Sequence, residues 1–129
     1  MTLNIALDID GTITSNPAFF ALLSHSVHGD GGKVFVVTSR SNTAAVEKET
    51  RAELTAYEIA FDALYVIADR GSEQQIPCPH DDLDWYQQYL WQKVKFCTDH
   101  DVHIIFEDDD KVVTLFQRFA PDIQVFHVR

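Results

Sequence analysis

The chain has 129 residues, 46% hydrophobic and 23% charged with five glycines and four prolines, a make-up that predicts one folded domain spanning residues 1–129. Twenty acids against ten bases leave a net charge of −10, which argues against a protein that grips extended nucleic acid by neutralising its phosphates. No apolar run is long enough to span a bilayer, no signal-peptide pattern opens the chain and Cys78 and Cys97 form no CxxC pair, so the expectation is a cytoplasmic protein with reduced thiols and no membrane partner.

In chain order, "LNIALDI" (residues 3–9) reads as a buried strand. "PAFFALLSHSV" (17–27) is a predicted helix with Pro17 in its first turn, closed by the glycine-rich "HGDGGK". "KVFVVT" (33–38) is a second buried strand. Asn42 or Thr43 caps a predicted helix in "NTAAVEKETRAELTAYE", whose inward stripe is Val46, Thr50, Leu54 and Tyr57. "ALYVIA" (63–68) is a third strand, followed by a polar loop (69–83) and a helix from Asp84 to Thr98. "VHIIFE" is a fourth strand, residues 110–119 are a helix facing inward through Val112, Leu115, Phe116 and Phe119, and "IQVFHV" is a fifth strand. Short apolar strands alternating with helices predict an α/β fold, a Rossmann-like three-layer arrangement around a central parallel five-stranded sheet.

Open sheets of this kind bind ligands beyond the carboxyl ends of their strands. Three strands end there in polar groups: Asp8 and Asp10, then Thr38, Ser39 and Arg40, then Glu107, Asp108, Asp109 and Asp110. Residues i and i+2 of a strand share a side, so Asp8 and Asp10 are expected to face one small volume. Two carboxylates that close repel each other, and a hard divalent cation shared with phosphate removes the conflict. A mere turn cap before Gly11 is the plainer reading of the pair, and it loses ground once the other two strand ends are counted.

"DIDGT" resembles the first signature of the haloacid dehalogenase-like phosphohydrolases, "VFVVT" their second, a lysine before the fourth strand their third, and "IIFEDDD" their fourth. The resemblance runs from residue 3 to about residue 128. It implies a Mg²⁺-dependent phosphomonoester hydrolase in which Asp8 attacks phosphorus to form an aspartyl-phosphate and Asp10 is the general acid–base. It further implies that Thr12 helps to position Asp10, and that Thr12, Thr38, Ser39, Arg40 and the lysine surround the phosphoryl group. Mg²⁺ would be held by Asp8, the backbone carbonyl of Asp10 and Asp108, with Asp109 as the supporting acid. A register slip of one residue would put Glu107 in place of Asp108, and Asp110 is assigned to cap the next helix.

The lysine is Lys93 or Lys95. Lys93 shares a face with Tyr86, Leu90 and Cys97, and an inward lysine needs an anionic partner such as Asp8 with phosphate. Lys95 falls on a more polar face, so Lys93 is the expected catalytic lysine. The aromatic residues Trp85, Tyr86, Tyr89 and Trp91 read as core and rim of that helix rather than as a base-stacking platform.

"TSRSNTAAVEKETRAEL", "FDALYV" and "FEDDDKVVTLFQRFAPDIQVFHV" are similar to the phosphatase domain of polynucleotide kinase-phosphatases. That would bring Arg40 near the phosphate; pairing of Arg40 with a helix carboxylate is the competing reading. The spacing between the motifs leaves no room for a large cap domain. The open site this implies suits a phosphorylated small molecule or macromolecule end, or a lid borrowed from a second subunit in a homo-oligomer. A nucleotidase or polynucleotide-end phosphatase is the narrower enzyme reading, and a catalytically inactive phosphate-, metal- or partner-binding module is the competing class.

Overall fold

The computed structural model of the protein describes residues 2–129. Its elements follow in the order β1 (Ile5–Leu7), a single 3₁₀ turn (Ile13–Ser15), α1 (Pro17–Gly29), β2 (Val34–Thr38), α2 (Ala44–Ala56), β3 (Ala63–Val66), α3 (Trp85–Asp99), β4 (Ile104–Glu107), α4 (Asp110–Phe119) and β5 (Gln124–His127). The strands form one parallel sheet in the order β3-β2-β1-β4-β5. β1 pairs with β2 on one side and β4 on the other, Leu7 lying opposite Val36 and Phe106. The first half of the chain builds outward from β1 in one direction and the second half in the other. The sheet therefore reverses its winding at the β1/β4 boundary, where a crevice opens at the strand ends.

Alternation along the strands sorts the core into two layers. Ile5, Leu7, Val34 and Val36 face Phe20 of α1 and Leu54 of α2. Ala6, Phe35, Val37 and Ile105 face Leu90, Val94 and Cys97 of α3 and Leu115 and Phe116 of α4. These are the two outer layers of a three-layer α/β fold.

The strands are shorter than their apolar runs, because Asp8 and Ile9 already belong to the turn that leaves β1. Thr43 is the cap of α2, accepting from the Val46 N–H at 3.2 Å. A capping box between Asp84 and Gln87 starts α3. At α4 the cap is Asp109 rather than Asp110: its carboxylate accepts the Lys111 N–H at 2.8 Å, and Asp110 is the first helical residue, its carboxylate 3.1 Å from His127 Nε2. The long polar segment 67–84 carries no regular element and is pinned by the buried Gln92, whose amide bonds both the N–H and the carbonyl of Ala68. No helix among the described residues is long and apolar enough to cross a membrane.

Candidate active site

Strand parity decides which side chains meet. Asp8 continues the face of Ala6, and Glu107 the face of Ile105, so both point toward the layer that holds α3. Lys93, on the buried stripe of α3, reaches up between them. Its Nζ donates to Asp8 Oδ1 at 2.9 Å and to Glu107 Oε2 at 3.1 Å. All three are nearly closed to solvent, with Asp8 at 6% exposure and Lys93 and Glu107 at 1%. Lys95 lies on the outer face of α3 and pairs with Asp99.

A cleft of about 90 Å³ opens over this group, lined by Asp8, Asp10, Ser39, Lys93, Glu107, Asp108 and Asp109 together with Leu90 and Val112. Asp8, Glu107 and Asp108 each offer an oxygen, all within 4.8 Å of one another. Three carboxylates face one buried ammonium here. Burial pushes the Asp8 carboxyl up to about 7, partly offset by Lys93 and reinforced by Glu107. Burial also raises Glu107. Desolvation works against the charge on Lys93, but Glu107 and Asp8 more than offset it and hold the ammonium above its ordinary value. An excess of negative oxygen around a small polar cavity is a donor set for a hard cation, and these residues could hold one.

The other expected contacts divide. Ser39 lines the cleft, but Thr38 continues the parity of Val34 and Val36 and belongs to the opposite layer; its hydroxyl accepts the Arg40 N–H at 3.1 Å. Thr12, expected beside Asp10, instead sets its buried hydroxyl between Asp8 Oδ2 at 3.3 Å and Asp108 Oδ1 at 3.2 Å. It braces the two acids of the cluster. Gly11 matters for the same reason: its φ is +84° and a Cβ there would overlap the Asp108 carboxylate. Asp109 borders the cleft, yet its carboxylate is engaged in capping α4.

Asp8 and Asp10 both line the cleft but differ in their partners, because the chain leaves the strand and turns over residues 9–12. The Asp10 carboxylate turns outward to Arg40, which holds it through Nε at 2.9 Å and Nη2 at 2.8 Å. Arg40 also donates to Thr50 Oγ1 at 3.1 Å and to both oxygens of Glu53 at 3.0 and 3.3 Å, so its five N–H groups are all engaged. The hydrogen bonds from Arg40 hold Asp10 below the ordinary carboxylate range, and those same bonds lower Glu53. Both readings of Arg40 meet in this arrangement, since it pairs with a helix carboxylate while gripping an acid at the cleft. Glu53 and Thr50 escaped the sequence reading, although Thr50 stood on the predicted inward stripe of that helix.

No protein-family model and no curated protein matches the sequence. Solved structures match it in shape. A chain of a Pnkp1/Rnl/Hen1 complex aligns with a TM-score of 0.64 and 18% identity, over 98% of this chain and 46% of its own length. A chain of the Pnkp1/Rnl/Hen1 RNA repair complex aligns with a TM-score of 0.66 and 18% identity, over 99% of this chain and 42% of its own. The protein thus spans less than half of either chain, and the likeness is one of fold.

Proposed function

We propose that the protein is a Mg²⁺-dependent phosphatase that cleaves phosphomonoesters through a covalent phosphoryl group on Asp8. The observation that carries this reading is the gathering of Asp8, Glu107 and Asp108 around the Lys93 ammonium at the β1/β4 crevice. Without a cation, burial raises the Asp8 carboxyl to about 7, and a cation arriving at the cluster would favour its ionised form.

Asp8 is the nucleophile, its two oxygens oriented by Lys93 at Oδ1 and by the Thr12 hydroxyl at Oδ2. It attacks phosphorus, the ester P–O bond breaks, and the leaving oxygen takes a proton from Asp10. Water then attacks the phosphoryl group as Asp10 takes the proton back, releasing phosphate and restoring Asp8. Asp10 must be protonated for the first step, so Arg40 has to loosen its two-pronged grip as the substrate enters. Lys93 and the Ser39 hydroxyl, both at the cleft, stabilise the transferring oxygens. Asp8, Asp108 and Glu107 would hold the cation, which supplies further charge stabilisation when bound.

The likeness in fold to chains of an RNA repair complex favours a phosphorylated nucleic-acid end or nucleotide over other esters. Hydrolysis of an activated aryl phosphate, with Mg²⁺ and with a chelator, tests the reaction class. Asp8→Asn should lose at least about 10³-fold in kcat. Full metal-dependent turnover by Asp8→Asn would remove Asp8 from the nucleophile's role.

A further inference from the structure

Beside the cleft stands a surface that the phosphate chemistry leaves unused. The first turns of α3 carry Trp85, Tyr86 and Tyr89. Trp85 is 53% exposed and belongs to neither apolar core, while Tyr86 and Tyr89 are half-buried. The two tyrosine rings stack at 6.1 Å with their planes 26° apart, and Trp85 meets Tyr86 edge-on at 5.4 Å. The Tyr89 hydroxyl donates to the Ser39 carbonyl at 3.3 Å, and Leu90 and Lys93 of the same helix line the cleft. The aromatic strip therefore begins at the rim of the cleft and runs to the start of α3.

Two cations attend it. The Arg70 guanidinium lies 3.9 Å from the centre of the Trp85 ring, and Lys111 Nζ lies 4.9 Å from that of Tyr86. Neither forms a salt bridge among the described residues. In a chain with twice as many acids as bases, two cations with no carboxylate at salt-bridge distance thus lie against one aromatic strip. Aromatic faces stack bases of any identity, and adjacent cations attract the phosphates between them.

We propose that Trp85, Tyr86 and Tyr89, with Arg70 and Lys111, form a stacking site for the nucleobases of a substrate whose terminal phosphate enters the cleft. This rests on the phosphatase reading above and names the leaving group it acts on. The net charge of −10 opposes a long grip on a strand, so the contact is confined to the phosphorylated end.

The test compares kcat/KM for a nucleoside monophosphate, a trinucleotide with a terminal phosphate, and glycerol phosphate, which has no base. The wild type should favour the two base-bearing substrates. Trp85→Ala and Tyr86→Ala should each cut that preference roughly tenfold, mainly through KM, while Tyr86→Phe retains it. A preference for the trinucleotide identifies a strand end as the substrate and equal rates a mononucleotide; either supports the stacking site. A second arm needs no turnover: titrating Asp8→Asn with oligothymidylate should quench Trp85 fluorescence, since the other tryptophan, Trp91, is only 7% exposed. Absence of quenching, or an unchanged base preference in both alanine variants, overturns the proposal. Quenching without hydrolysis of any of the three substrates would retain the stacking site and strike the phosphatase reading instead.

Discussion

Lys93 supplies one positive charge to a pocket where Asp8 and Glu107 are buried with it and Asp108 stands beside them. That imbalance gives the metal-free protein a pH dependence. In the folded state the Asp8 carboxyl is raised from 3.8 to about 7 by burial. Between those two values the folded chain binds more protons than the unfolded one, so stability falls as pH rises through the window. Mg²⁺ favours the ionised carboxylate and should remove the decline. The melting temperature in a chelator should therefore drop from pH 5 to pH 8, with the stabilisation by added Mg²⁺ growing over the same range. A Mg²⁺ effect equal at both ends would contradict this account of the cluster. Gly11 gives a second check at the same scale. Gly11→Ala forces a side chain onto the Asp108 carboxylate from a backbone with φ of +84°, and should weaken Mg²⁺-induced stabilisation; an unaltered response would mean that Asp108 holds no cation.

The elements explain why some of these groups were legible in the sequence and others were not. Lys93 was found because helical spacing put it on the same stripe as Leu90 and Cys97, and both are buried. The adjacent acids 107–110 resisted assignment because each lies one residue from the next, and only the end of β4 and the cap of α4 tell them apart. Glu107 closes the strand facing Lys93, and Asp109 caps the helix. The two roles predict opposite phenotypes. Asp109→Ala should lower stability by about 1 kcal/mol, as lost helix caps do, and keep the Mg²⁺ response. Asp108→Ala should lose the Mg²⁺ response in a thermal-shift titration. If the two variants behave alike, the division between cap and cluster is wrong. Parity also separates Thr38 from Ser39, since "VFVVTS" alternates between the two layers and Ser39 is the one that lines the cleft. Arg40 is the reverse case. Its partners lie on the turn after β1 and on α2, and no local pattern joins Asp10 to Glu53 across that distance.

Across the whole molecule, the alternation of apolar strands and helices was sufficient to foresee a five-stranded parallel sheet covered on both faces, because every strand is short and β1 and β2 are buried throughout. The strand order was beyond the sequence, since nothing in local composition says that β4 returns to the far side of β1. That return sets Asp8 and Glu107 at the ends of neighbouring strands, where both reach the Lys93 ammonium. It also sets α3 along the mouth of the site, with its aromatic strip facing outward beside a phosphate-sized cleft. In a chain with net charge −10, two cations, Lys93 and Arg40, stand at this end of the sheet, each held by two acids.

The central claim is that Asp8 carries the phosphoryl group, and it is tested most directly by trapping that group. With an activated aryl phosphate, whose leaving group departs without a proton from Asp10, Asp10→Asn should form the aspartyl-phosphate and hydrolyse it slowly, so that acid quenching in the presence of that substrate and Mg²⁺ preserves it. Mass spectrometry of the peptide containing residue 8 should then find a phosphoryl group on Asp8 that hydroxylamine removes and that Asp8→Asn never acquires. Substrate turnover by the wild type, with no phosphoryl group on Asp8 in the quenched Asp10→Asn protein, would contradict the account.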